Sequence, residues 1–201
     1  MSTRSLADAW PEARTTGLDL SPYMLAAAVL AEETAFPNPN PNPNPNPRTS
    51  TPPTSTRSRV RVQVQSPDPT ITRPLRAGPI TYRHARAEAT GLADASQDVV
   101  CLTFLLHECP ASAIEAIYAE AFRVVRPGGV VAMTDMNPRS PVIQSLPPVL
   151  ATLMKSTEPW ADEYYCADIE RIATRAGLVD VEYHVTDPRH RTIVARRPPP
   201  L

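Results

Sequence analysis

Glycine is scarce in this 201-residue chain, which has six: Gly17, Gly78, Gly91, Gly128, Gly129 and Gly177. No two of them stand one residue apart ahead of a helix. That excludes a glycine-rich loop of the kind that lets backbone N–H groups approach an anionic ligand closely. Cysteine is scarcer still. Cys101, Cys109 and Cys166 are an odd number without close C-x-x-C spacing, which rules out a disulfide framework or a zinc site and leaves buried thiols in a reducing compartment. Neither sign of charge dominates, with 20 Lys and Arg against 21 Asp and Glu. A nucleic-acid binder driven by phosphate contacts is thereby excluded. No apolar run reaches the length of a transmembrane helix, and the opening "MSTRSLADAW" lacks the apolar centre of a secretory signal. His84, His107, His184 and His190 lie far apart without i, i+4 pairing, so no metal cluster is expected.

Proline is plentiful, with 25 residues, many of them in "FPNPNPNPNPNPRTSTPPTSTRSR". Alternating Asn-Pro removes every second N–H and pushes each preceding residue to extended conformations, so neither helix nor sheet interior can form. Residues 37–57 are expected to be a disordered, partly polyproline-II insertion. A proline-rich docking site is the alternative, although the repeat lacks the spaced prolines and basic anchors of such ligands. The insertion divides the chain into residues 1–36, residues 58–197 and a tail at 198–201.

Outside the insertion, 42% apolar content supports a real core, and the pattern alternates. Residues 5–10 read as the end of a helix and 14–20 as a strand. Ser21 and Pro22 form a helix-start signal for residues 22–33. "SRVRVQVQ" has the period-two pattern of an edge strand or a hairpin arm, and "ITYRHAR" is a better core strand. "DVVCLTFLL", residues 98–106, is apolar enough to be a strand buried on both faces. Ile114, Ile117, Tyr118, Ala121, Phe122 and Val125 make one helical stripe. "RPGG" then predicts a turn, and residues 130–136 a strand. Residues 162–176 predict one amphipathic helix ended by Gly177. Residues 179–185 and 192–197 predict two strands joined by the "DPRHR" turn, hence an antiparallel hairpin. The fold class this predicts is α/β, with a mostly parallel sheet covered by helices.

Several segments together resemble class I S-adenosylmethionine-dependent methyltransferases, in particular the small-molecule, ubiquinone/menaquinone-methyltransferase-like branch. They are "GLDLSPYML", "HARAEATGLADASQDVV", "LTFLLHE", "EAFRVVRPGGVVAMTD" and "IERIATRAGLVDVEYHV", in the family's order, and the resemblance covers most of residues 10–197 outside the insertion. It implies a Rossmann-like, three-layer α/β/α fold with S-adenosyl-L-methionine as cofactor and a small organic or lipid-like methyl acceptor. By the same resemblance Asp19 would hold both ribose hydroxyls, with Leu20 and Met24 flanking the adenine. Ala87, through its N–H, and Glu88 would lie at the adenine edge. Leu102 to Leu106, including Phe104, would floor the methionine portion. The alternative for Asp19 is a plain acid at a helix N-terminus, and for Glu88 a solvated loop charge.

Methyl transfer chiefly requires positioning, plus a base where the acceptor is a phenol or alcohol. His107, at the tip of the central strand, is the candidate catalytic residue, the alternative being a helix-cap or surface histidine. Asp135 and the Tyr164-Tyr165 pair are weaker candidates for the acceptor pocket, and the "DPRHR" turn for an anionic head group. Two features depart from the family. Arg86, which has donors only, stands where an acidic acceptor for the adenine amino group is usual. The first strand with its glycine loop is missing, as though the chain were a truncated piece of a longer protein. The rival readings are a non-catalytic Rossmann-like remnant and a nicotinamide-dependent oxidoreductase. The expected location is intracellular and soluble, in the cytoplasm or an organelle, a plastid included if a targeting segment is missing. Nothing in the pattern fixes the oligomeric state.

Overall fold

The structure is a computed structural model, and it describes residues 3–35, 60–62 and 80–200. The 37–57 insertion and Val64 lie outside the described residues. The chain divides into two compact units, Met1–Ala87 and Glu88–Leu201.

The first unit contains helix α1 (Thr3–Ala9), strand β1 (Thr16–Asp19), helix α2 (Pro22–Ala35), strand β2 (Val60–Val62) and strand β3 (Ile80–His84). β1 and β3 run parallel, with Thr16 opposite Thr81 and Asp19 opposite His84. β2 pairs antiparallel with the other side of β3, an edge position that suits its period-two sequence. The buried core is Ala7, Ile80 and Tyr82, against which Leu25, Ala28 and Val29 of α2 pack. Gly17 faces this core, and a Cβ there would come within 2.8 Å of the Tyr82 ring. The predicted start of α2 is present: Ser21 Oγ accepts from the Met24 N–H at 3.3 Å, and Pro22 opens the helix.

The second unit contains β4 (Gln97–Thr103), a 3-10 turn at Leu106–Glu108, α3 (Ala111–Val124), β5 (Val125–Met136), α4 (Pro141–Gln144), α5 (Pro148–Thr157), α6 (Ala161–Cys166), α7 (Ile169–Arg175), β6 (Val179–Val185) and β7 (His190–Arg196). The sheet order is β4-β5-β7-β6. β4 and β5 are parallel, and β7 is antiparallel to both β5 and β6. Three of the four strands therefore run one way, and the chain ends in the predicted antiparallel hairpin. α3 buries Ile114, Ile117, Tyr118 and Ala121 as its stripe predicts. Phe122 is half-buried, with the Arg197 guanidinium 4.5 Å from its ring centroid.

Three local readings change. "RPGG" lies inside the twelve-residue strand β5 instead of forming a separate turn. The pairing slips there between Gln97 and Val99, and Gly128 takes the slip at φ +75°, a conformation glycine adopts without steric cost. The helix expected over 162–176 is two helices. Ala167 is extended, and the Asp168 carboxylate caps α7 by accepting from the Arg171 N–H at 3.0 Å. A short acceptor side chain favours such a cap over continuing a helix. β4 is not buried on both faces. Among its residues only Leu102 is buried, and Val99 is 49% exposed, because β4 hydrogen-bonds to β5 alone among the described strands. The thiols also differ from expectation: Cys101 and Cys109 are half-buried and Cys166 is exposed. No helix among the described residues is long and apolar enough to cross a membrane.

Candidate active site

β5 alternates buried and half-buried residues from Gly129 onward. Asp135 falls in phase with Val131 and Met133, so the alternation carries a carboxylate to the core face, where it is 0% exposed. A buried carboxylate needs hydrogen-bond donors, and four converge on it. Oδ2 accepts from the Leu106 N–H at 2.9 Å and the His107 N–H at 3.4 Å. Oδ1 accepts from the Met136 N–H at 2.7 Å and faces His107 Nδ1 at 2.7 Å.

The chain between β4 and α3 is bent to make this possible. Phe104 sits at φ +50°, a left-handed conformation that is uncommon for a non-glycine residue and marks a forced turn. The Phe104 N–H still donates to Thr134 O at 2.9 Å. The next residues coil into the 3-10 turn, whose N–H groups point at Asp135. His107 is buried with Asp135 beneath it and Glu108 beside it, His107 Nε2 lying 3.9 Å from Glu108 Oε1. A carboxylate only accepts, so Nδ1 carries the proton and Nε2 keeps its lone pair. The Asp135 hydrogen bond raises the His107 pKa above its ordinary 6.5, outweighing burial, which acts the other way.

Tyr164 of α6 stands edge-on to His107 at 6.4 Å between centroids and donates to Met136 O at 2.6 Å. Burial pushes its phenol pKa upward. Arg191 of β7 lies directly across the sheet from Asp135. It is 2% exposed, with its guanidinium 5.5 Å from the Tyr164 ring centroid and Nη1 3.8 Å from Glu170 Oε2. The sequence places Arg191 in the "DPRHR" turn, whereas in the structure it belongs to β7. Its phase with Ile193 and Ala195, both buried, was the signal for an inward arginine.

His107, Asp135, Tyr164 and Arg191 are thus gathered at one end of the second unit's sheet. Of the proposed cofactor residues, Glu88, Leu102 and Phe104 belong to this unit. Leu102 is buried, and Phe104 is 43% exposed with its ring edge-on to His190. Burial raises the Cys109 thiol pKa, and the Glu88 carboxylate pushes the same way, so Glu88 acts electrostatically on the segment just after His107. In the first unit Asp19 ends β1, half-buried, with Oδ1 accepting from the Ser21 N–H at 2.7 Å. Leu20 and Met24 beside it are each 61% exposed, and His84 Nε2 lies 2.6 Å from Leu20 O. Ala87 is half-buried just beyond β3. Tyr165 is half-buried and donates to Met136 Sδ at 3.3 Å. No group of three or more metal-ligating side chains occurs among the described residues.

Residues 56–133 match the family model of a methyltransferase domain. The match runs from the end of the insertion through α3 into β5 and takes in His107. A search of curated proteins finds no match. Solved structures match over nearly the whole chain. A Pyrococcus horikoshii protein is 12% identical with a TM-score of 0.57, covering 97% of this chain and 76% of its own. A structure described as a SAM-dependent methyltransferase from Methanosarcina mazei is 13% identical with a TM-score of 0.55, covering 98% and 87%. A possible exported protein from Bordetella parapertussis is 14% identical with a TM-score of 0.53, covering 92% of this chain but 53% of its own. The chain thus spans about half the length of that last relative. These likenesses establish a Rossmann-like α/β fold with mostly parallel and some antiparallel strands.

Proposed function

We propose that the chain is an S-adenosyl-L-methionine-dependent methyltransferase that acts on a hydroxyl group of a small organic or lipid/quinone-like acceptor. The observation that carries this reading is the buried His107–Asp135 pair, whose His107 lies in a stretch that matches a methyltransferase domain and whose Asp135 follows two residues after that stretch ends. When bound, the cofactor would supply a methyl group on a sulfonium sulfur, which needs an oriented nucleophile more than it needs activation. His107 Nε2 would take the acceptor's hydroxyl proton, leaving the oxygen free to form its new bond to carbon. Asp135 holds the imidazole in the tautomer that permits this and stabilises the imidazolium that results. Tyr164 limits how the ring can tilt.

The first unit's residues fit the nucleoside part of the cofactor. Asp19 offers a carboxylate at a strand end with Oδ2 unengaged among the described residues, and a vicinal diol would satisfy it. Exposed Leu20 and Met24 supply apolar surface for a base. None of the six glycines supplies a loop for the methionine carboxylate, and we take the first strand and that loop to be missing from these residues.

The test is calorimetric titration of the folded chain with S-adenosylhomocysteine, followed by assay of S-adenosylhomocysteine release from S-adenosylmethionine with phenol and hydroquinone acceptors. Binding and release are expected, with release abolished by His107→Asn. A folded protein that gives no heat and no release overturns the reading in favour of a non-catalytic domain.

A further inference from the structure

The Arg191 guanidinium is buried, and its partners match it loosely. Nη1 lies 3.8 Å from Glu170 Oε2, and Nη2 donates to the Tyr164 hydroxyl oxygen at 3.4 Å. Nε has no hydrogen-bond partner among the described residues. Taking a cation out of water is costly, and a loosely matched buried ion pair is often less stable than apolar residues of the same volume. Stability alone therefore gives β7 no reason to carry an arginine at this position.

What the guanidinium does hold is one aromatic side chain. It lies 5.5 Å from the Tyr164 ring centroid and bonds the hydroxyl of the same residue, within the reach of a cation–π interaction. Tyr164 donates onward to Met136 O at 2.6 Å and stands edge-on to His107, 6.4 Å between centroids. At that separation ring pairs hold a preferred tilt. α6, which carries Tyr164, has only six residues and packs on the 3-10 turn that carries His107. A helix so short takes its placement from such contacts. Glu170 is itself held by Arg139, with Nη2 3.4 Å from Oε1. The contacts thus run from Glu170 through Arg191 and Tyr164 to His107, whose Nδ1 faces Asp135.

We propose that Arg191 is a positioning residue, whose planar guanidinium fixes Tyr164 by its face and its hydroxyl and thereby fixes the tilt of His107. Calling this the placement of a base rests on the methyltransferase reading. The hold on the ring does not.

The test is proton NMR of the full chain, reading nuclear Overhauser contacts between the Tyr164 and His107 rings, beside steady-state kinetics with the phenol and hydroquinone acceptors. The unaltered chain should show these contacts. Arg191→Met keeps an apolar stem in the core and leaves Glu170 paired with Arg139. It should weaken the contacts and lower kcat about tenfold or more, with KM within about twofold of native. Tyr164→Phe keeps the ring but loses the hydroxyl, and should move both readouts the same way. The double variant should lose no more than the worse single one, since both act through one ring. If Arg191→Met fails to fold by circular dichroism, Arg191→Lys replaces it. A lysine keeps the charge but, as a point donor, cannot both lie flat on a ring and reach its hydroxyl, so the contacts should again weaken. Ring contacts that survive in a folded Arg191 variant, or losses of kcat that add in the double variant, overturn the proposal. No turnover by the unaltered chain removes the methyltransferase reading, and the ring contacts then decide the proposal alone.

Discussion

Replacing Asp135 by Asn tests the site at its centre. In the native protein Oδ2 takes the Leu106 and His107 N–H groups, and Oδ1 takes the Met136 N–H and His107 Nδ1–H. Asparagine has one acceptor oxygen and one NH₂. With its oxygen on the turn's two N–H groups, its NH₂ faces the Met136 N–H, and two donors oppose each other. One orphaned buried donor costs about 1–3 kcal/mol, so a fall in Tm of about 4–8 °C is expected for a cost near the middle of that range. The same NH₂ faces His107 Nδ1. The ring is then stable only with its proton on Nε2, the atom that must be free to accept one. A loss of about 10²–10⁴ in kcat/KM follows, the range of a general base's contribution. The His107 pKa should also fall, because the Asp135 hydrogen bond is what chiefly raises it and burial is left to act in the other direction. A raised histidine pKa contributes stability that is fully present below 6.5 and is lost as pH rises through the folded value. In Asp135→Asn that pH dependence should vanish. Proton NMR titration of the His107 ring reads this without any need for turnover. The reasoning fails if His107 titrates at or below 6.5 in the native protein, or titrates unchanged in the variant.

Other parts of the structure give expectations of the same kind. If the proposed methyl transfer holds, kcat/KM of the unaltered chain should climb with pH and level off above 6.5, since only the unprotonated ring accepts a proton and its pKa is raised; a profile already flat at pH 6 contradicts the proposed base. Glu120 is buried and accepts from Arg123 and from the Thr90 N–H and hydroxyl, which hold its pKa down at about 2. Glu120→Ala should cost about 2 kcal/mol in denaturant melts near neutral pH, with Arg123 still reaching water. A depressed acid contributes above its unfolded pKa, so this penalty should shrink as pH falls from 4.5 toward 2. Gly17→Ala would put its Cβ 2.8 Å from the Tyr82 ring and 2.9 Å from Thr3 Oγ1, so a loss of about 1–3 kcal/mol is expected by overpacking. Gly177 sits at φ +99° with the Phe122 ring 3.0 Å from where a Cβ would be. Gly177→Ala should therefore lower stability by about 1–2 kcal/mol, and equal stability would sink that account.

The legible elements were those in which local pattern and tertiary burial agree. Ile114, Ile117, Tyr118 and Ala121 predicted α3 because a buried helical face has to repeat that way. The "DPRHR" junction predicted the β6–β7 hairpin because so short a link cannot make a parallel crossover. Gly177 and the Ser21-Pro22 pair marked helix ends because their conformational preferences are local. The misread elements were those whose outcome depends on a neighbour. The apolar run in β4 implied two buried faces, but a strand's burial depends on what lies beside it, and β4 hydrogen-bonds to one strand among those described. "RPGG" was read by turn propensity, but the pairing with β4 carries it into β5 around a bulge. Asp168 split a helix that periodicity alone joined. The site shows the same division. His107 was visible because it follows a strand end, where open α/β sheets bind ligands. Asp135 was read only as a weaker pocket candidate, and Arg191 as part of a turn, since composition sends charged residues to the surface. Yet Val131, Met133 and Asp135 share one strand phase, and Arg191, Ile193 and Ala195 share another. A charge that keeps step with a buried row is either an expensive accident or held for use. Here two such rows are adjacent, and the register puts Asp135 and Arg191 opposite each other, so strand phase would have indicated the polar centre.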